Sequence, residues 1–178
     1  MKRSVIIYLL FSIFISCGND NFQDTERYFV TDKEIYKVGD RLKLTTVIIP
    51  TIEQKQIRFY KNYKNLSLWF SLMSEKKGWH NTSSTKQSSA SLNKANIQEH
   101  VITKQEPFQK TFDGIIKQEN DSIKIEISEL NFMEGFKVSE IDKFTRIRIH
   151  GFCHPINQNL LDPLEDYFKP KDITILVK

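Results

Sequence analysis

Three side chains near the C-terminus are able to ligate a metal: His150, Cys153 and His154, in the run His-Gly-Phe-Cys-His. Zn²⁺ takes tetrahedral nitrogen and sulfur ligands, and these three would converge if the chain bent at Gly151. An extended chain instead sends His150 and Cys153 to opposite faces. No second Cys or His pair stands at a zinc spacing, and the first Cys of a haem-attachment motif is missing. The expectation is a strand end before a turn at Pro155, with no metal and no cofactor. His80 and His100 lie near serines, but Ser-His-Asp chemistry requires assembly in space. No Gly-x-Ser-x-Gly, His-Glu-x-x-His or phosphate-cradling Gly-rich loop occurs, and the chain holds six Gly. No catalytic residue is expected. Trp79 and His80 stand alone in a polar stretch, and an exposed aromatic often anchors a binding surface; they form a candidate binding loop.

Cys17 offers chemistry of another kind. It follows Met1-Lys2-Arg3, an apolar run from Val5 to Ile15, and Ser16. Charge, a short apolar stretch and a small residue are the grammar of a secretory signal. A span would need about 20 apolar residues, and Gly18-Asn19-Asp20 ends this run well before that. The segment resembles a bacterial lipoprotein signal. That resemblance implies acylation of Cys17, a signal peptide over 1–16, and a cell-envelope protein anchored by its N-terminal lipid, in the outer membrane. Phe14 and Ile15 depart from the usual lipobox at −3 and −2; Ser16 fits it at −1. Asp121-Ser122-Ile123 resembles the O-glycosylation site of Bacteroidota exported proteins and makes Ser122 a candidate acceptor.

The 26 basic and 22 acidic residues give a formal charge of +4, which falls by two when Lys2 and Arg3 leave with the signal. That balance is too weak for a nucleic-acid partner. With Cys17 acylated, Cys153 has no partner within the chain and is expected to be buried. The remaining length suits one domain able to bury a core without disulfide or metal.

Residues 17–26 are polar and read as a tether, with the domain over 27–178. Tyr28 and Val30, then Ile35-Tyr36, precede a turn at Gly39-Asp40. Leu42, Leu44, Thr46 and Ile48 alternate with polar residues, the period of a half-buried strand. Leu66, Leu68, Phe70 and Leu72 share one face of the most apolar strand, which is expected at the centre. Residues 74–96 are Ser-rich and read as a long loop. Ile97–Thr103 and Pro107–Ile116 are further strands. Ile123, Ile125 and Ile127 alternate cleanly, as do Ile147 and Ile149 against Arg146, Arg148 and His150. Asp162-Pro163 predicts one short helix to Tyr167. Ile173, Ile175 and Val177 close the chain as a strand.

About eight strands and almost no helix predict a mostly β protein, an antiparallel β-sandwich or barrel. Residues 31–48, TDKEIYKVGDRLKLTTVI, resemble the first hairpin of bacterial immunoglobulin-like and macroglobulin-type domains. FTRIRIHGF and DITILV resemble the paired last strands of such sandwiches. The paired Cys of antibody domains is absent. The resemblance implies an immunoglobulin-like sandwich carrying recognition on its loops. The expected function is a non-catalytic, lipid-anchored binding module for an envelope protein or glycan. An accessory or inhibitor-like subunit acting through strand edges is the alternative, and a hydrolytic enzyme would require His, Asp and Ser gathered in one cleft.

Overall fold

The computed structural model describes residues 22, 24–60, 63, 66–74, 78–81, 97–140, 144–153 and 166–177. They form thirteen strands and no α-helix. In chain order these are β1 (Thr25–Thr31), β2 (Ile35–Lys37), β3 (Arg41–Pro50), β4 (Gln54–Tyr60), β5 (Leu66–Ser74), β6 (Gly78–Asn81), β7 (Ile97–Thr103), β8 (Phe108–Glu119), β9 (Ser122–Ile127), β10 (Phe132–Lys137), β11 (Phe144–Cys153), β12 (Asp166–Tyr167) and β13 (Lys171–Leu176). The signal segment, Cys17, His154, residues 82–96 and residues 162–165 of the expected helix lie outside the described residues.

Two sheets face each other as a β-sandwich. Sheet A runs β1-β3-β8-β9-β10 and is antiparallel throughout. Sheet B runs β2-β13-β11-β5-β6, with β12 added beside β11. Its pairs are antiparallel except β2 with β13, which is parallel. A separate hairpin pairs β4 with β7. Period two sets the two faces. In sheet A, Leu42, Leu44, Ile48, Phe112, Ile116, Ile123, Ile125 and Ile127 point inward and are buried. In sheet B, Leu66, Leu68, Phe70, Leu72, Ile147, Ile149, Ile173 and Ile175 meet them. Cys153 is buried among these, as expected.

Several expectations are corrected by the pairing. The stretch 31–48 is no hairpin. β2 belongs to sheet B and β3 to sheet A, so Gly39-Asp40 carries the chain between sheets. Gly39 holds a φ of 96°, where a Cβ is strained. The turn is fastened by Gly39 N–H to the Ile116 carbonyl (2.7 Å) and Ile116 N–H to the Asp40 carbonyl (3.0 Å). The centre of sheet B is β11, whereas the more apolar β5 lies one strand from the edge. β8 runs on to Glu119 and turns through Asn120-Asp121, with Asn120 at φ 54°. Part of the expected 74–96 loop is strand: Gly78–Asn81 pairs with Ser71–Ser74. Asp166-Tyr167, expected in the helix, pairs as strand with Phe152-Cys153.

The ordered body also starts before Arg27. β1 begins at Thr25, and Phe22, placed by sequence in the tether, is 2% exposed. Its ring lies 5.5 Å from that of Phe59, which stacks on Phe108 at 4.7 Å. Its carbonyl accepts from Thr25 Oγ1 and from the Arg27 guanidinium. One aromatic side chain among polar neighbours has no period to reveal it, yet burying it removes a large apolar area from water.

Gly151 is closely packed from both sheets. A Cβ there would stand 2.6 Å from Phe29 Cζ and 2.9 Å from Leu68 Cδ2. Phe29 is itself stacked on Phe168 at 4.7 Å and has little room to yield. Gly151→Ala should therefore cost about 1–3 kcal/mol through overpacking. Gly135→Ala, whose Cβ would meet the flexible Lys124 side chain at 3.1 Å, should cost less. Urea unfolding of the two variants checks the order.

Candidate binding face

The outer surface of sheet B gathers the aromatic and cationic side chains that period two turns away from the core. On β11 these are Arg146, Arg148, His150 and Phe152; on β5 they are Ser67, Trp69, Ser71 and Met73. Register then makes the neighbours. His150 lies opposite Trp69, Arg148 opposite both Ser71 and Asp172, and Phe152 opposite Tyr167. Trp79 on β6 lies opposite Met73.

At one end the face is aromatic. The rings of Trp69 and His150 are parallel within 5° at 5.0 Å. Phe152 and Tyr167 meet Trp69 at 5.8 and 6.0 Å, and Tyr167 is 50% exposed. Trp69 is thus packed in a cluster outside the sandwich core. At the other end the face is charged. Arg148 donates from Nε and Nη2 to the two oxygens of Asp172 at 2.7 and 2.9 Å, a bidentate pairing. Arg146 donates to the same carboxylate at 3.3 Å. Both guanidinium groups lie over the Trp79 ring, at 4.2 Å for Arg148 and 5.8 Å for Arg146. The Arg148 hydrogen bonds hold the Asp172 carboxyl below its ordinary range, and Asp172 in turn raises Arg148.

Between the two ends, Ser71 Oγ and His150 Nε2 are 2.9 Å apart. That is the contact of a nucleophile and its base. Ser71 is only 5% exposed. Among the described residues no carboxylate orients the other imidazole nitrogen, and the Asp172 oxygens are engaged by arginine. Burial, and then the Arg148 charge, push the His150 pKa down, so it is neutral at pH 7.

Of the residues singled out by sequence, Trp79 belongs to this face, on a strand rather than in a loop. His80 is in the same strand, its backbone opposite Leu72. Cys153 points into the core, away from His150, and no group of three metal-capable side chains occurs among the described residues. Ser122 lies in sheet A at the β8–β9 hairpin, with its Oγ 3.3 Å from Asp121 Oδ1. It is remote in topology from Trp79. His100 lies on β7 against Phe108 at 4.9 Å. Sequence reading had placed Arg146, Arg148 and His150 on one outward face but missed Ser71 and Asp172 as their partners. The alternation in β5 and β13 was the available signal.

Sheet A has a hollow of about 460 Å³ on its outer surface, lined by Val30, Asp32, Lys43, Thr45, Thr111 and Asp113. Asp32 is occupied there by the Lys43 N–H at 2.9 Å and the Tyr36 hydroxyl at 2.8 Å.

The chain matches no family model and no curated protein sequence. Solved structures match over most of the chain at low similarity. The sporulation control protein Spo0M of Bacillus subtilis is 8% identical with a TM-score of 0.39, over 87% of this chain and 50% of that one. The chain thus spans about half the length of that protein. A chain of the human seminal-plasma complex of zinc 2-glycoprotein with prolactin inducible protein is 7% identical, TM-score 0.29, over 86% of this chain and 94% of that one. AvmM, which catalyses macrocyclisation in alchivemycin A biosynthesis, is 5% identical, TM-score 0.24, over 85% and 87%. At such identities nothing about function carries across.

Proposed function

We propose that this chain is a lipid-anchored, non-catalytic recognition protein of a bacterial cell envelope. It is an immunoglobulin-like sandwich, held in the outer membrane through Cys17, and it holds an envelope protein or glycan on the outer face of sheet B. The observation that carries the reading is Trp79 beneath two guanidinium groups, on a face whose far end exposes Tyr167. Trp, Tyr and Arg are the residues enriched where binding energy concentrates. A catalytic role for Ser71 and His150 is disfavoured by the burial of the hydroxyl, and among the described residues no third member of a triad stands beside them. Ser122, on the opposite sheet, is the proposed O-glycosylation acceptor and leaves this face clear.

Affinity capture from envelope extracts with the full chain tests the reading. Trp79→Ala should lose the captured partner while keeping the thermal midpoint within a few degrees. Capture that Trp79→Ala leaves intact would place recognition elsewhere. The anchor has its own test. Cys17→Ser should release the protein from membranes or leave an unprocessed precursor; normal maturation and fractionation of that variant would sink the lipoprotein reading.

A further inference from the structure

We propose that the outer face of sheet B takes an acidic polysaccharide, a chain of sugar rings carrying carboxylates; this rests on the binding reading above and names its ligand class. The face is long and shallow. Arg146 to Phe152 is seven residues of one strand, six steps or about 20 Å at about 3.3 Å per residue. Such a strip suits a polymer lying across the surface rather than a small molecule enclosed by it.

Along β11 the backbone offers nothing to a peptide. β11 is hydrogen-bonded to β13 on one side and β5 on the other. β11 itself has no free edge for a guest strand, so a ligand lying along it is recognised by side chains; among the described residues the edge of the sheet on this side is β6. Those side chains are of two kinds. Tyr167, Phe152 and Trp69 offer apolar ring edges and faces at one end. At the other end two guanidinium groups share one carboxylate. Asp172 gives both its oxygens to Arg148 and shares one of them with Arg146 at 3.3 Å. Arg146 is 56% exposed. A guanidinium has five donors in a planar fork, and the Asp172 bond uses one. His150, neutral, adds no charge of either sign. The face therefore carries an excess positive charge at Arg146, already oriented over Trp79, and a second carboxylate would complete it. Sugar rings against the aromatic end with a carboxylate at Arg146 satisfy both halves at once.

The test uses the full chain in detergent. Polygalacturonate, a uronic-acid polymer, is the probe, with neutral dextran and vesicles containing phosphatidylglycerol alongside. Retardation in a polygalacturonate gel is expected, weakening as salt rises. Arg146→Gln should weaken it about tenfold, the worth of one hydrogen bond to a charged group, with the thermal midpoint unchanged. Tyr167→Ala should weaken it too. Equal binding to dextran, or Arg146→Gln binding as tightly as wild type, overturns the acidic class. Binding to the vesicles but not to polygalacturonate overturns it in favour of a lipid surface. No binding to any probe overturns it as well. The Trp79-dependent capture from envelopes still judges the broader reading by itself, so the two failures are distinct.

Discussion

Replacing Phe70 by Ala should lower the unfolding free energy by about 3–5 kcal/mol. The ring is fully buried, stands edge-on to Phe132 at 4.9 Å, and lies opposite Ile149 in the ladder. Phe132 belongs to sheet A and Phe70 to sheet B, so this one side chain helps join the two layers. Truncation loses the transfer energy of the ring and leaves a cavity that a close-packed interior refills poorly. Domains of this size are commonly stable by about 5–15 kcal/mol, so the urea midpoint should fall steeply. Lys104→Ala, at an exposed position, should stay within about 0.5 kcal/mol of wild type. Equal small effects from both would show that Phe70 does not bridge the sheets.

Glu134 should make stability fall as pH rises from about 4.5 to about 8. It is 1% exposed on β10. Burial pushes its carboxyl up to about 8, although the Phe70 N–H, donating to Oε2 at 3.0 Å, works the other way. Oε1 has no hydrogen-bond partner among the described residues. Below pH 4.5 the carboxyl is protonated in both states and carries no penalty. Between 4.5 and 8 the unfolded chain gives up the proton while the folded one keeps it, which favours unfolding. The loss accumulates at about 1.4 kcal/mol per pH unit, to about 3 kcal/mol at pH 7, and is constant above 8. Glu134→Gln keeps an acceptor for Phe70 N–H and removes the titration. Its stability should be flatter across that window, whatever offset its buried amide introduces. His100 and His150, both lowered by burial, act in the opposite sense below about pH 6.5 and are common to both proteins. Parallel curves from pH 5 to 8 would show that Glu134 is ionised in the folded state at neutral pH.

Glu134 also shows where reading by period stops. The run Phe132-Met133-Glu134-Gly135-Phe136 alternates, with Phe132 and Phe136 buried on the same side as the acid. Its pattern is that of a strand with a carboxylate on the apolar face, an unfavourable placement that only a specific partner offsets. The partner is a backbone amide of β5, that of Phe70, from a strand of the facing sheet. Nothing local announces that. β6 and β12 are likewise four and two residues long, too short for a period. Each exists because a neighbouring strand offers a ladder.

What the sequence determined by itself was the pair of faces on each longer strand. Side chains alternate because the extended backbone makes them alternate, a property of the local chain. Hence Leu42 to Ile48, Ile123 to Ile127 and Ile147 with Ile149 were legible as core, and Arg146, Arg148 and His150 as an outward row. The pairing of β11 with β13 was implied by the likeness of FTRIRIHGF and DITILV to paired last strands; which of the other strands would lie side by side was not legible. The Phe70–Glu134 and Ser71–His150 contacts join residues 64 and 79 positions apart. The entropy of closing such loops grows only with the logarithm of their length, so many pairings cost nearly the same. The choice among them falls to packing over the whole core. That choice moved Gly39-Asp40 from a hairpin to a crossing between sheets, drew Phe22 into the core, and placed Trp79 under the two arginines.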